Sequence, residues 1–372
     1  MRNLARLFLV TTALLSPGSA FAFPEMVRHH YVNCNACHVN PNGGGLLSEY
    51  GRGMSGEVLS TWHYENESLF LHGLVKQEKM PSFLNVGGDL RALQLHHETK
   101  AVREGRYILM QSRLEAAAPV GPVTADIGYF APDAMNHIHG ELAHYYVLGS
   151  FTETLQLKAG RFLPAFGIND PHHTLSTRAA LGFGYGSERD GVEAHYSGEQ
   201  WHAALGWSKS RTESLVREKE RALNAQIEKF FADSYRVGLS LWTGDSDLRR
   251  RWLVSLHGIL GFTEHFYLSD ETAWQNAQAK TNGLLLGPTV TGVYHFDRLG
   301  YEVLQGLDVT GISDISQSDV TAPNALTVLL GGGPVWYPRP HFEIEAIFSQ
   351  RKILKTSMDW EDYAWIMLHY YL

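Results

Sequence analysis

Cys34-Asn35-Ala36-Cys37-His38 carries the chemistry that can be read first. The run has the C-x-x-C-H spacing at which a c-type haem is attached. Two cysteines three apart can form thioethers to the two vinyl groups on one edge of a porphyrin. The histidine directly after the second then sits where it can hold the iron as proximal ligand. These are the only two cysteines in the chain, so no disulfide framework competes for them. A redox dithiol is the first rival, but no βαβ pattern of thioredoxin type surrounds the run. Zinc is the second. Cys, Cys and His supply three ligands, and no second Cys/His pair follows at zinc spacing. The expectation is therefore one covalent haem on Cys34 and Cys37, with His38 as proximal ligand.

The second iron ligand is less defined. His29 and His30 lie just before the run, and no amphipathic pattern explains the pair. Met54 falls on the apolar face of a following helical stretch, where a core methionine is the plainer reading. One of the two histidines is preferred as distal ligand, with Met54 next and an open position as the remaining alternative.

Met1 to Ala22 has the form of a secretory signal peptide. Arg2 and Arg6 precede a short apolar core, Leu7 to Leu15, and Ala20-Phe21-Ala22 is an A-x-A cleavage site. Export agrees with the motif, because c-type haem is attached outside the cytoplasm. Removing the signal leaves 29 basic against 39 acidic residues, a net charge of −10 that disfavours nucleic acid as a partner. No run of 18 apolar residues follows, so no transmembrane helix is expected. Yet 36 glycines and 12% aromatic residues suit a membrane barrel with aromatic girdles.

Residues 23–62 form a small haem module. Pro41-Asn42-Gly43-Gly44-Gly45 is a turn signal. Leu47, Tyr50, Met54, Val58 and Trp62 then recur at helical spacing, weakened by Gly51 and Gly53. Forty residues bury little core alone, so the module is expected to dock against the rest. Residues 63–83 are a connector. From 84 to 372, strand-length segments alternate apolar and polar. Phe342, Ile344, Ala346 and Phe348 oppose Glu343 and Glu345. Leu155, Leu157 and Ala159 oppose Gln156 and Lys158. Asn224, Gln226 and Glu228 share one face.

About sixteen strands can be placed. Even-numbered junctions are tight, including 119–121, 232–233 and 297–298. Odd-numbered ones are longer, above all 163–189 and 311–324. Short turns on one side and long loops on the other is the pattern of an outer-membrane barrel. The fold expected is all-β: a transmembrane antiparallel barrel preceded by a small α-helical haem module. The last segment alternates at Ala364, Ile366, Leu368, Tyr370 and Leu372, although barrels of this class usually end in an aromatic residue.

A signal peptide, one N-terminal C-x-x-C-H and a porin-sized barrel together resemble the fused outer-membrane cytochrome–porins. The local likeness lies in Ala36-Cys37-His38, Pro41, Gly43 to Gly45 and Tyr50-Gly51-Arg52. Gly160 to Gly167 is similar to bacterial porins generally. The resemblance implies single-haem extracellular electron transfer, including bacterial iron oxidation. Its implied partners are a periplasmic electron carrier, an extracellular redox partner or metal ion, and outer-membrane lipid. It also implies that 163–189 folds inward and narrows the pore. That loop carries Asp170, His172 and His173, and the preceding long one Asp133, His137 and His139. Imidazole with carboxylate suits iron and other transition metals, but solvated loop histidines are the plainer expectation. Three functions compete: an electron relay, a diffusion channel with a haem-bearing plug or redox gate, and a periplasm-facing haem enzyme tethered by a barrel.

Overall fold

The computed structural model describes residues 25–75, 81, 83–131, 140–170, 172, 174–184, 186–211, 219–322, 324, 326–354, 357 and 359–372. The expected signal peptide, Asp133, His137, His139 and His173 lie outside the described residues.

Sixteen antiparallel strands close into one barrel, each paired with its sequence neighbours and β1 with β16. They are β1 (Asn85–Glu98), β2 (Arg103–Val120), β3 (Val123–Phe130), β4 (Glu141–Ser150), β5 (Leu155–Phe162) and β6 (Arg189–Ser197). Then come β7 (Trp201–Ser210), β8 (Arg221–Phe231), β9 (Tyr235–Asp245), β10 (Arg249–Gly261) and β11 (Phe266–Thr281). The last five are β12 (Leu284–Leu304), β13 (Leu307–Gln317), β14 (Leu326–Trp336), β15 (Phe342–Ile353) and β16 (Glu361–Tyr371).

The period-2 pattern decides which residues face out. Leu155, Leu157, Leu223, Ile227, Val237 and Leu241 are exposed on the outer wall. Their alternates Lys158, Asn224, Glu228, Arg236 and Ser240 are buried inside. An apolar exterior over a polar interior is the inversion that lipid imposes on a barrel. No helix among the described residues is long and apolar enough to cross a membrane. Exposed Phe151, Trp201, Phe231, Phe262 and Tyr301 ring the end that carries the even-numbered turns, forming an aromatic girdle.

Four junctions differ from the sequence expectation. Asp297 and Arg298 are not a turn. β12 runs on to Leu304, and the reversal falls at 305–306. Asp297 faces outward beside His295, while Arg298 points inward to Asp170, so each polar residue has its own partner within a continuous strand. β13 consequently extends to Gln317, which shortens the loop expected at 311–324 to 318–325. Not every odd junction is long either: 246–248 and 282–283 are tight.

The N-terminal segment lies within the ring of strands. Arg28 pairs with Asp308 at 2.8 Å and with Glu302 at 3.1 Å. Asn42 donates to Glu193, Arg52 to Asn85, and Ser55 shares a hydrogen bond with Tyr371. Its helix is shorter than the spacing predicts. α1 covers Glu49–Met54, capped by Ser48, and continues as a wider turn over Ser55–Leu59. Trp62 falls beyond it and stands edge-on to Trp336 at the barrel rim.

Candidate functional site

Cys34 opens a single tight turn, Cys34–Ala36, and Cys37 follows it. The cysteines are not joined to each other. Cys37 is buried in an apolar cluster with Met26, Tyr31, Met54, Leu59, Val335 and Tyr337, so one side of the motif rests on the barrel wall. Gly51 explains the weak helix. A side chain there would collide with the carbonyl oxygen of Cys37, so close helix packing beneath the motif requires glycine. Gly43 has φ +76°, and a Cβ at that position would stand 3.1 Å from Cys34 Sγ. The glycine turn thus leaves the thiol room on that side.

His38 lines two neighbouring cavities. The smaller, about 70 Å³, is lined by Cys34, His38, Phe166, Ile168, Arg178 and Arg236 among others. The larger, about 220 Å³, adds Arg91, Arg113, His144, His172 and His369 to His38. Burial pushes the His38 imidazole down to about 4, against the opposing pull of a hydrogen bond to the Gly45 backbone. The neutral ring is the form that ligates a metal. Two unjoined thiols, a neutral buried imidazole and open volume beside Cys34 and His38 fit a covalently held haem, with Cys37 packed in the apolar cluster next to them.

The distal candidates are placed apart from these cavities. His29 Nε2 accepts from Arg28 at 3.1 Å, and burial followed by the Arg28 charge lowers its pKa to about 4. His30 has φ +72° and keeps Nδ1 buried without a hydrogen-bond partner among the described residues. Met54 Sδ accepts from the Tyr31 hydroxyl at 3.0 Å. Met54 shares Cys37's apolar cluster.

The loop 163–188 folds into the lumen over the motif. Phe166 and Phe183 stack at 4.4 Å, and Phe183 meets Trp242 of the wall edge-on. Gly167 donates to Ser240, and Ile168 to Glu271. On the opposite side Asp170, His172, Arg298 and Glu345 form one charged cluster. His172 lies 3.0 Å from Asp170 and 2.8 Å from Glu345. Burial and Arg298 lower its pKa, but Glu345 and Asp170 outweigh them and raise it to about 9. His172 is thus a half-buried ion-pair partner rather than a solvated loop histidine. The loop reaches the segment through Asn169, whose amide donates to the Gly43 carbonyl at 2.8 Å.

Sequence reasoning did not find Arg236. Its Nη1 donates to Cys34 Sγ at 2.6 Å although 202 residues separate them. Its inward position in β9 was legible; its partner was not. Among the described residues, Asp270, His295 and Asp297 also stand close enough to hold a cation. They alternate with inward-facing Glu271, Tyr294 and Phe296, so they lie on the outer wall, away from the motif.

No family model and no curated protein matches the sequence. Solved outer-membrane channels and porins share the fold. The chain is similar to the anion-selective porin from Comamonas acidovorans at 12% identity and a TM-score of 0.60, over 78% of this chain and 99% of that one. It is similar to OmpT of Vibrio cholerae at 12% identity and 0.59, over 79% and 99%. The channel DcaP of Acinetobacter baumannii matches at 14% identity and 0.57, over 78% and 97%.

Proposed function

We propose that this porin-type barrel sits in the bacterial outer membrane, carries one covalent c-type haem in its lumen, and relays electrons between an extracellular partner and periplasmic carriers. The observation that carries this reading is that Cys34, Cys37 and His38 lie inside the ring of strands, beneath the inward loop. A bilayer core of about 25–30 Å insulates a redox centre on either side of it. A centre within the lumen shortens that gap from both sides.

Cys34 and Cys37 would supply the thioether sulfurs and His38 the axial nitrogen. Once attached, the haem supplies a one-electron redox centre. The chain's own residues prepare the place. Cys37 anchors the motif in an apolar cluster. Gly43 leaves space beside Cys34. The stacked Phe166 and Phe183 close part of the lumen above.

A second reading is a diffusion channel whose N-terminal segment is a haem-bearing plug or redox gate. The barrels it resembles favour it, since they include an outer-membrane channel and an anion-selective porin. One experiment separates the two. The protein is reconstituted in liposomes with a reducible dye inside and a membrane-impermeant reductant outside. Wild type should reduce the dye and His38→Ala should not, with equal solute leakage in both. Equal dye reduction would leave the channel reading in place of the relay.

A further inference from the structure

We propose that Arg236 and Glu228, on the inner wall of the barrel, seat the first cysteine of the motif and set the reduction potential of the haem it would carry. The inference rests on the haem reading above.

One guanidinium joins wall to motif. Arg236 Nη1 donates to Cys34 Sγ at 2.6 Å and to the Val32 carbonyl at 3.3 Å. Its Nε and Nη2 donate to the two carboxylate oxygens of Glu228 at 2.8 and 2.6 Å. This paired geometry fixes the plane of the guanidinium, which a lysine could not match. Glu228 is buried and is held in turn by His202 at 3.0 Å and His257 at 3.1 Å. Space for this arrangement is kept at Gly238, which pairs with both Glu228 and His257 in the barrel register. A Cβ at Gly238 would overlap His257 Nε2 and approach Glu228 Cγ to 2.7 Å. The same wall therefore holds a chain of four polar side chains, at the end of which Arg236 reaches the sulfur.

The order of charges matters. Arg236 touches the sulfur, and Glu228 stands behind it. Inside a protein such charges act at low effective dielectric. An oxidised haem iron carries one positive charge more than a reduced one. A cation at the attachment edge therefore favours the reduced form and raises the potential, and a carboxylate does the reverse. Removing each charge should move the potential in opposite directions. Mere loosening of the site would not produce that sign change.

The test uses the full-length protein purified in detergent, with haem attachment read from the pyridine haemochrome spectrum and potential from spectroelectrochemical titration. Arg236→Gln should lower the midpoint potential and shift the haemochrome band toward singly attached haem. Glu228→Gln should raise the potential. Arg236→Lys should restore most of the wild-type value. If Arg236→Gln does not assemble, Glu228→Gln decides: a raised potential supports the inference, and an unchanged or lowered one overturns it. With both charge-removing variants loaded, unchanged potentials or shifts of one sign overturn the inference alone. Wild type without covalent haem overturns the haem reading and this inference with it.

Discussion

The N-terminal segment and the loop 163–188 fill one lumen by different means. The segment is held at the turn end by buried charge: Arg28 between Asp308 and Glu302, and Arg236 against Cys34. The loop is held by an aromatic stack on Trp242 and by the Asp170–His172–Arg298–Glu345 cluster across from it. They meet through the polar contact of Asn169 with Gly43 and through Ile168, which packs with Val27 and Val32 against Phe230 and Ile259 of the wall. Each nevertheless has its own charged or aromatic footing on the barrel.

The largest effect is expected at Arg28. Arg28→Ala leaves two buried carboxylates without their cation, a change worth about 3–5 kcal/mol in comparable sites. Residues 25–62 should become open to protease while the barrel keeps its heat-modifiable gel migration. Loss of barrel migration at the same time would show that the segment and wall are one unit. Phe183→Ala tests the other partner. Loss of a buried aromatic costs about 3–5 kcal/mol in globular cores, and a loop exposed to lumen water should sit at the lower end. Single-channel conductance should rise with the segment still protected. Protease entry at the segment in this variant would contradict separate anchoring.

The smallest effect is a pH response of the loop. The folded pKa of His172, about 9, is above its ordinary value of 6.5. Its charge therefore stabilises the docked loop fully below about 6.5, and that contribution is lost as pH rises through about 9. Asp170 is shifted the other way, held low by Arg298 and His172 against the cost of burial. Its contribution is present above the ordinary carboxylate range and fades as pH falls. Conductance should climb as pH passes about 9, and the step should vanish in His172→Gln. A step of equal size in that variant would assign the response to another group.

Much of the wall was legible because lipid forces alternation on each strand separately. Leu155 and Leu157 outside, Lys158 inside, needs no knowledge of a partner strand. What failed was local polarity read as a turn. Asp297-Arg298 looks like a reversal, but the true one is at Gln305 and Gly306, where Gln305 donates to carbonyls of Glu57 and Ser60 in the segment. That reversal is set against a piece of chain some 245 residues away. The motif was legible from spacing. Arg236 and the places of His29, His30 and Met54 were not, because each depends on which side of a folded segment meets which strand.

The barrel closes where β1 meets β16, and the segment grips both sides of that join. Arg52 donates to Asn85 and to the carbonyl of Val86, while Ser55 bonds Tyr371. Of the sixteen strands β16 is made last, so the ring cannot be completed before it arrives. The earliest-made piece of the described chain and the latest are thus brought together at a single seam. Ring closure and docking of the segment are thus coupled at that seam, because the Arg52 and Ser55 contacts bridge the two strands whose pairing completes the ring.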